Sequence, residues 1–139
     1  RRHWEPSAIS YNAAISACEK GARWHEAMGV FSELRLHRLE PDVITYGATI
    51  STCGKGAQWQ QALGMFSDMR LRRLEPSVIT YNAGVSACAK GAKSHEALAM
   101  FSDMRSHGLE PNVITYSAGI SACETGAFWH EALGMLSDM

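Results

Sequence analysis

Nothing in the 139-residue sequence approaches an unbroken apolar run of the length a bilayer-spanning helix needs, which is about 20 residues. Net charge is nearly absent too. Lys and Arg number 13 against 14 Asp and Glu, a formal −1 at neutral pH. No overall field therefore draws in a polyanion, and a purely electrostatic grip on nucleic acid is disfavoured. There is no close pair of cysteines: Cys18, Cys53, Cys88 and Cys123 stand 35 residues apart, whereas zinc ligands come in pairs such as C-x2-C. No metal or cofactor is expected. Neither a Gly-rich phosphate loop nor a carboxylate pair in a candidate pocket is visible, so no catalytic residue is assigned and the stretch does not read as an enzyme. Arg1-Arg2-His3-Trp4 lacks the apolar core of a signal peptide, and no targeting segment is seen. Apolar material is plentiful: 46% of residues are hydrophobic, enough for a core and too much for intrinsic disorder.

What the sequence has is repetition. Tyr11, Tyr46, Tyr81 and Tyr116 recur every 35 residues, as do Pro6, Pro41, Pro76 and Pro111. The chain divides into units 8–42, 43–77, 78–112 and a truncated 113–139, with 1–7 as the tail of a preceding unit. Units 43–77 and 78–112 share 21 of 35 residues in register, which chance periodicity does not produce. A start inside one unit and an end inside another point to further units on both sides, and neither end shows the polar cap such stacks usually need.

Each unit predicts two helices. In 43–77, Thr45 is placed to cap the first, with Ser10, Thr80 and Thr115 at the same position elsewhere. Tyr46, Ile50 and Cys53 then fall on one stripe at i, i+4, i+7. Lys55-Gly56-Ala57 should end that helix, with Gly56 supplying a left-handed turn. Ala62, Phe66 and Met69 mark the stripe of a second helix, and Glu75-Pro76 closes the unit. One hairpin cannot bury both stripes, but stacking on like neighbours can. The fold class is therefore all-α, an α-solenoid of antiparallel helix hairpins.

The W-x2-L-G-x2-Y pattern of the tetratricopeptide repeat is missing. In its place stand Val43-Ile44-Thr45-Tyr46, the Gly56 turn, Ala62-Leu63, Met69 and Leu74-Glu75-Pro76. This pattern resembles the pentatricopeptide repeat, over essentially the whole chain and with the uniform 35-residue length of the P-type arrangement. The resemblance implies a right-handed superhelix whose first helices line a concave groove for single-stranded RNA, one base per unit. It implies base selection by the fifth and last positions: Asn12, Gly47, Asn82 and Ser117, with Asp42, Ser77 and Asn112. It implies bases sandwiched by the second-position Ile9, Ile44, Ile79 and Ile114, and phosphates met by Lys20, Lys55 and Lys90. The family's pairings give U for Asn12 with Asp42, C or U for Asn82 with Asn112, a purine for Ser117, and no assignment for Gly47 with Ser77. RNA would run 5′ to 3′ along the chain. Organellar transcripts, in mitochondrion or plastid, are the family's usual targets.

The residues support this face independently. Gly47, Ser51 and Gly54 lie beside the Tyr46 stripe, with Asn12, Ser16 and Glu19 as their counterparts in the first unit. Small and polar, they suit a groove that admits a polymer, and an Asn amide can both donate to and accept from a base edge. Cationic support fades along the chain, since unit 113–139 has Glu124, Glu131 and Asp138 but no Lys or Arg. The cysteines and Met69, Met104 and Met139 read as core. Trp24, Trp59 and Trp129 read as packing between units on the outer layer, and His25, His95 and His130 as exposed. The Arg35–Arg38 and Arg70–Arg73 runs complement helix C-termini or touch phosphate. The second function class is a protein- or peptide-binding scaffold, which near-neutral charge, Gly47 and the acidic last unit favour.

Overall fold

The computed structural model describes residues 8–126 together with 130 and 134. Pro6, Trp129, Glu131, Asp138, Met139 and the proposed tail 1–7 lie outside the described residues. Among the described residues seven helices follow one another: α1 (Ala8–Lys20), α2 (Trp24–Leu36), α3 (Val43–Lys55), α4 (Trp59–Leu71), α5 (Val78–Lys90), α6 (Ser94–Ser106) and α7 (Val113–Gly126). They pair as hairpins α1–α2, α3–α4 and α5–α6, with α7 opening a fourth, in register with the 35-residue period.

The core is built from the periodic stripes. Tyr46, Ile50, Cys53, Ala62 and Met69 have no accessible surface, and Phe66 keeps only 7%. Each second helix reaches the next unit through an aromatic pair: Phe31–Tyr46, Phe66–Tyr81 and Phe101–Tyr116 meet edge-on with centroids 5.1, 4.9 and 5.3 Å apart. Such edge contacts add about 0.5–1.5 kcal/mol each beyond burial.

The two layers are packed differently. Helices α1, α3, α5 and α7 stand backbone against backbone, whereas α2, α4 and α6 meet one another only through long side chains. Small residues permit the close inner row. A Cβ on Gly54 of α3 would lie 2.9 Å from the Ala83 carbonyl oxygen of α5. Close spacing inside and wide spacing outside curve the stack, and the first helices take the concave side.

Two local expectations are corrected. Thr45 is not the cap: α3 begins at Val43, and Asp42 caps it by accepting the Thr45 N–H at 2.9 Å. The Thr45 hydroxyl accepts the Asp42 N–H in return, at 3.2 Å. Ser77 with Thr80, and Asn112 with Thr115, exchange the same two bonds. The threonine is thus the third-residue partner of a reciprocal box. Gly56 is not left-handed either. Its φ is −88°, and the positive φ falls on Ala57 (59°), as it does on Ala22 and Ala92. The glycine is needed for space instead. A Cβ on Gly56 would meet Trp24 Cδ1 at 2.7 Å, and one on Gly91 would meet Trp59 Cδ1 at 2.5 Å.

Candidate nucleic-acid interface

The concave face begins with apolar side chains that the core leaves out. Ile9, Ile44, Ile79 and Ile114 are 81%, 66%, 71% and 62% exposed, one on the first turn of each inner helix. Two hollows separate the last three. One, of about 320 Å³, has Ile44 and Ile79 on its walls with Gly47 and Ser77 between them. The next, of about 330 Å³, has Ile79 and Ile114 with Asn82 and Asn112. The second, fifth and last positions singled out in the sequence are therefore brought together. Ser117 is exposed on the same side of α7, and the position 35 residues after Asn112 lies beyond the sequence.

A threonine of the following unit ties the fifth position to the last. The Thr45 hydroxyl donates to Asn12 Oδ1 at 2.6 Å and lies 2.8 Å from Asp42 Oδ1. The Thr115 hydroxyl donates to Asn82 Oδ1, and Asn82 Nδ2 donates to Asn112 Oδ1 at 3.1 Å. With its oxygen engaged, Asn12 has N–H groups to offer the groove, whereas Asn82 has already given one of its two to Asn112. Asn82 is 8% exposed, so this arrangement is well fixed. In the second unit Gly47 has no side chain, and the Thr80 hydroxyl meets Ser77 alone among the described residues, through its Oγ at 3.2 Å and its N–H at 3.4 Å. Partial burial works against the Asp42 charge, but hydrogen bonds from the Thr45 N–H and hydroxyl outweigh it and hold the carboxyl below its usual range. Asp42 is ionised at neutral pH and only accepts.

Of the three lysines, Lys55 and Lys90 border the larger hollow, and Lys20 is exposed. Lys55 is also 3.5 Å from Glu19 Oε2, so an acidic side chain of the groove already shares its charge.

The outer layer holds what sequence reasoning missed. The Tyr46 hydroxyl donates to Asp68 at 2.5 Å, and Arg35 of the preceding unit pairs with the same carboxylate at 3.6 Å. Tyr81, Asp103 and Arg70 repeat the arrangement. Burial and the Asp68 carboxylate push the Tyr46 phenol up to about 12. The arginine runs thus fasten one unit to the next, beyond complementing helix dipoles. Trp24 and Trp59 pack against the core, and Cys53 and Cys88 are buried free thiols pushed up to about 11 by burial. His25, His95 and His130 are exposed.

The model of the PPR repeat family matches residues 6–55, 41–90 and 76–125. The chain belongs to the PPR repeat family. Among solved structures, PPR10 in complex with an 18-nt psaJ RNA element superposes with a TM-score of 0.84 at 26% identity, over 100% of this chain. PPR10 from maize gives 0.78 at 26% identity, again over 100% of this chain and 20% of that one. The PPR domain of Arabidopsis thaliana protein-only RNase P 1 in complex with tRNA gives 0.83 at 12% identity, over 98% of this chain and 72% of that chain, a likeness of fold alone. This chain therefore spans a fifth of the PPR10 chain, 20% of its length. No curated protein sequence matches it.

Proposed function

We propose that the concave face of this PPR stack binds single-stranded RNA, one base per unit, with each base seated between successive isoleucines. The observation that carries the reading is the alternation along the groove: exposed Ile44, hollow, Ile79, hollow, Ile114, each hollow edged by a fifth and a last position. RNA bound to PPR10, whose fold this chain shares at 26% identity, supports the same ligand class.

The donor and acceptor pattern suggests which bases. In the first unit the Asn12 amide has N–H to give, because its oxygen takes the Thr45 hydroxyl, and the Asp42 carboxylate only accepts. Uracil complements both, through a ring carbonyl and its N3–H. In the third unit Asn112 Oδ1 already faces the Thr115 N–H, the Thr115 hydroxyl and Asn82 Nδ2 at 3.1, 3.0 and 3.1 Å. Asn112 is thereby left with N–H groups, which suit the bare N3 acceptor of cytosine. With Ser117 leaning to a purine, the site would read 5′-U-N-C/U-purine-3′ from N- to C-terminus. Lys20, Lys55 and Lys90 would meet phosphates. Three or four bases address no transcript uniquely, so we place this stretch within a longer array, with organellar transcripts as the targets the family assignment favours.

Titration against a pool of short single-stranded RNAs and a matched duplex tests the reading. Preference for single strands supports it; equal or absent binding to all would favour a peptide-binding scaffold. Asn82→Ser should shift preference at the third base from C towards A, and an unchanged preference would overturn the assignment.

A further inference from the structure

The second unit lacks a fifth-position side chain, yet its hollow is not without a polar group. Glu19, from α1 of the unit before, lines the same hollow as Gly47, Ser77, Ile44 and Ile79. Its side chain is held across the groove: Oε2 accepts the Ser51 hydroxyl at 2.7 Å and lies 3.5 Å from Lys55 Nζ. Both contacts fall on one oxygen, and among the described residues no hydrogen bond engages Oε1. Ser77 is occupied as the cap of α5. The equivalents of Glu19 in the second and third units are Gly54 and Ala89, which carry no polar group. Glu19 therefore adjoins the hollow whose own fifth position is a glycine.

We infer that Glu19 is the base-reading residue for the second unit, and that the base it selects is guanine; this rests on the RNA-binding reading above. An ionised carboxylate only accepts hydrogen bonds, and charge-assisted bonds are the stronger kind. Guanine presents two adjacent donors, N1–H and N2–H2, on its Watson–Crick edge. Cytosine and adenine each present one amino group beside a ring acceptor; uracil presents N3–H between two carbonyl oxygens, and with Gly47 in place of an Asn this unit has no fifth-position amide to take one of them as Asn12 does in the first. Gly47 leaves room for the larger purine, since a Cβ there would come no closer than 3.8 Å to Thr80 Oγ1. Ser51 and Lys55 hold the carboxylate through Oε2, which limits the ordering cost of the contact.

Four short RNAs, 5′-U-X-C-A-3′ with X as G, C, A or U, distinguish the possibilities when titrated at low ionic strength into the wild-type chain and Glu19→Gln. The wild type should favour X = G by about tenfold over A and U. In Glu19→Gln that ratio should fall to about twofold or less, with the A, C and U RNAs binding more tightly because one groove anion has gone. Circular dichroism and the unfolding midpoint establish that the variant keeps its fold. Equal wild-type affinity for all four, a preference for another base, or a guanine preference that survives in Glu19→Gln would each overturn the inference while leaving RNA binding intact. No binding to any of the four would overturn the RNA reading itself, and this inference with it.

Discussion

Gly56 lies against the indole of Trp24, and its neighbour Ala57 carries the left-handed backbone. The two residues divide work that one glycine often does alone. Exchanging them one at a time should give effects of opposite sign. Gly56→Ala forces a methyl into the ring and should cost about 1–3 kcal/mol, the usual range for overpacking. Ala57→Gly removes the penalty of a Cβ at φ 59° and should stabilise by up to about 1 kcal/mol after the entropy of the freer unfolded chain is deducted. Urea unfolding of both variants checks the signs. Asp103 offers a pH test. Partial burial opposes its charge, but the Tyr81 hydroxyl and the Arg70 guanidinium outweigh that, so its carboxyl sits below the ordinary 3.8. A depressed carboxyl contributes stability that is present above the unfolded value and lost as pH falls through the folded one. The melting temperature should therefore drop below about pH 4, and Asp103→Asn should lower it at neutral pH while flattening the acid limb. An equally steep limb in the variant would assign acid unfolding to other carboxylates.

At the scale of the helix and its hairpin, the inner helices differ in how their starts are secured. The Asn12–Thr45–Asp42 and Asn82–Thr115–Asn112 groups join successive units, while Gly47 leaves Thr80 with Ser77 alone. Gly47→Asn should complete the missing group. The added oxygen can take the Thr80 hydroxyl, and an Asn is better tolerated in a helix than Gly, so a gain of about 1 kcal/mol is expected in the unfolding free energy. The same change fills the hollow and should shift the second base towards a pyrimidine in an RNA titration. Much of this element-level structure was legible in the sequence. Period 3.6 found the buried stripes of Tyr46 and Phe66, and the three hairpins among the described residues recur with the 35-residue repeat. The cap was misplaced because Asp42 and Thr45 are both good capping residues, and only the geometry shows that they serve each other. The Arg35–Asp68–Tyr46 link was missed because its members lie on three helices, 22 and 33 residues from the shared carboxylate. No periodicity within one helix can reveal that. The groove positions were legible only through likeness to a family; the residues alone said no more than small and polar.

For the whole molecule, charge sets the kind of binding to expect. The formal net charge is −1 and Glu19 already shares Lys55. Three lysine contacts with a single strand should give a log–log salt slope of about −2. Lys90→Gln should flatten the slope more than Lys55→Gln, whose charge is partly compensated in the free protein. Affinity measured across a salt series checks both statements, and a slope near −6 would mean that the arginines dominate instead. The stack is also directional in its fastenings. The first two units send a phenylalanine and an arginine forward to the next, and the third sends Phe101, so a longer array gains further clasps with each unit added.

Asp42, Ser77 and Asn112 each close one unit and start the first helix of the next. A side chain in that place answers to the backbone before it answers to any ligand. Only Asp, Asn, Ser and Thr combine a short reach with an oxygen that accepts the free N–H groups of a helix start. Diversity at this edge of the groove is accordingly drawn from about four side chains, and an engineer who wants a fifth must first find another way to begin the helix.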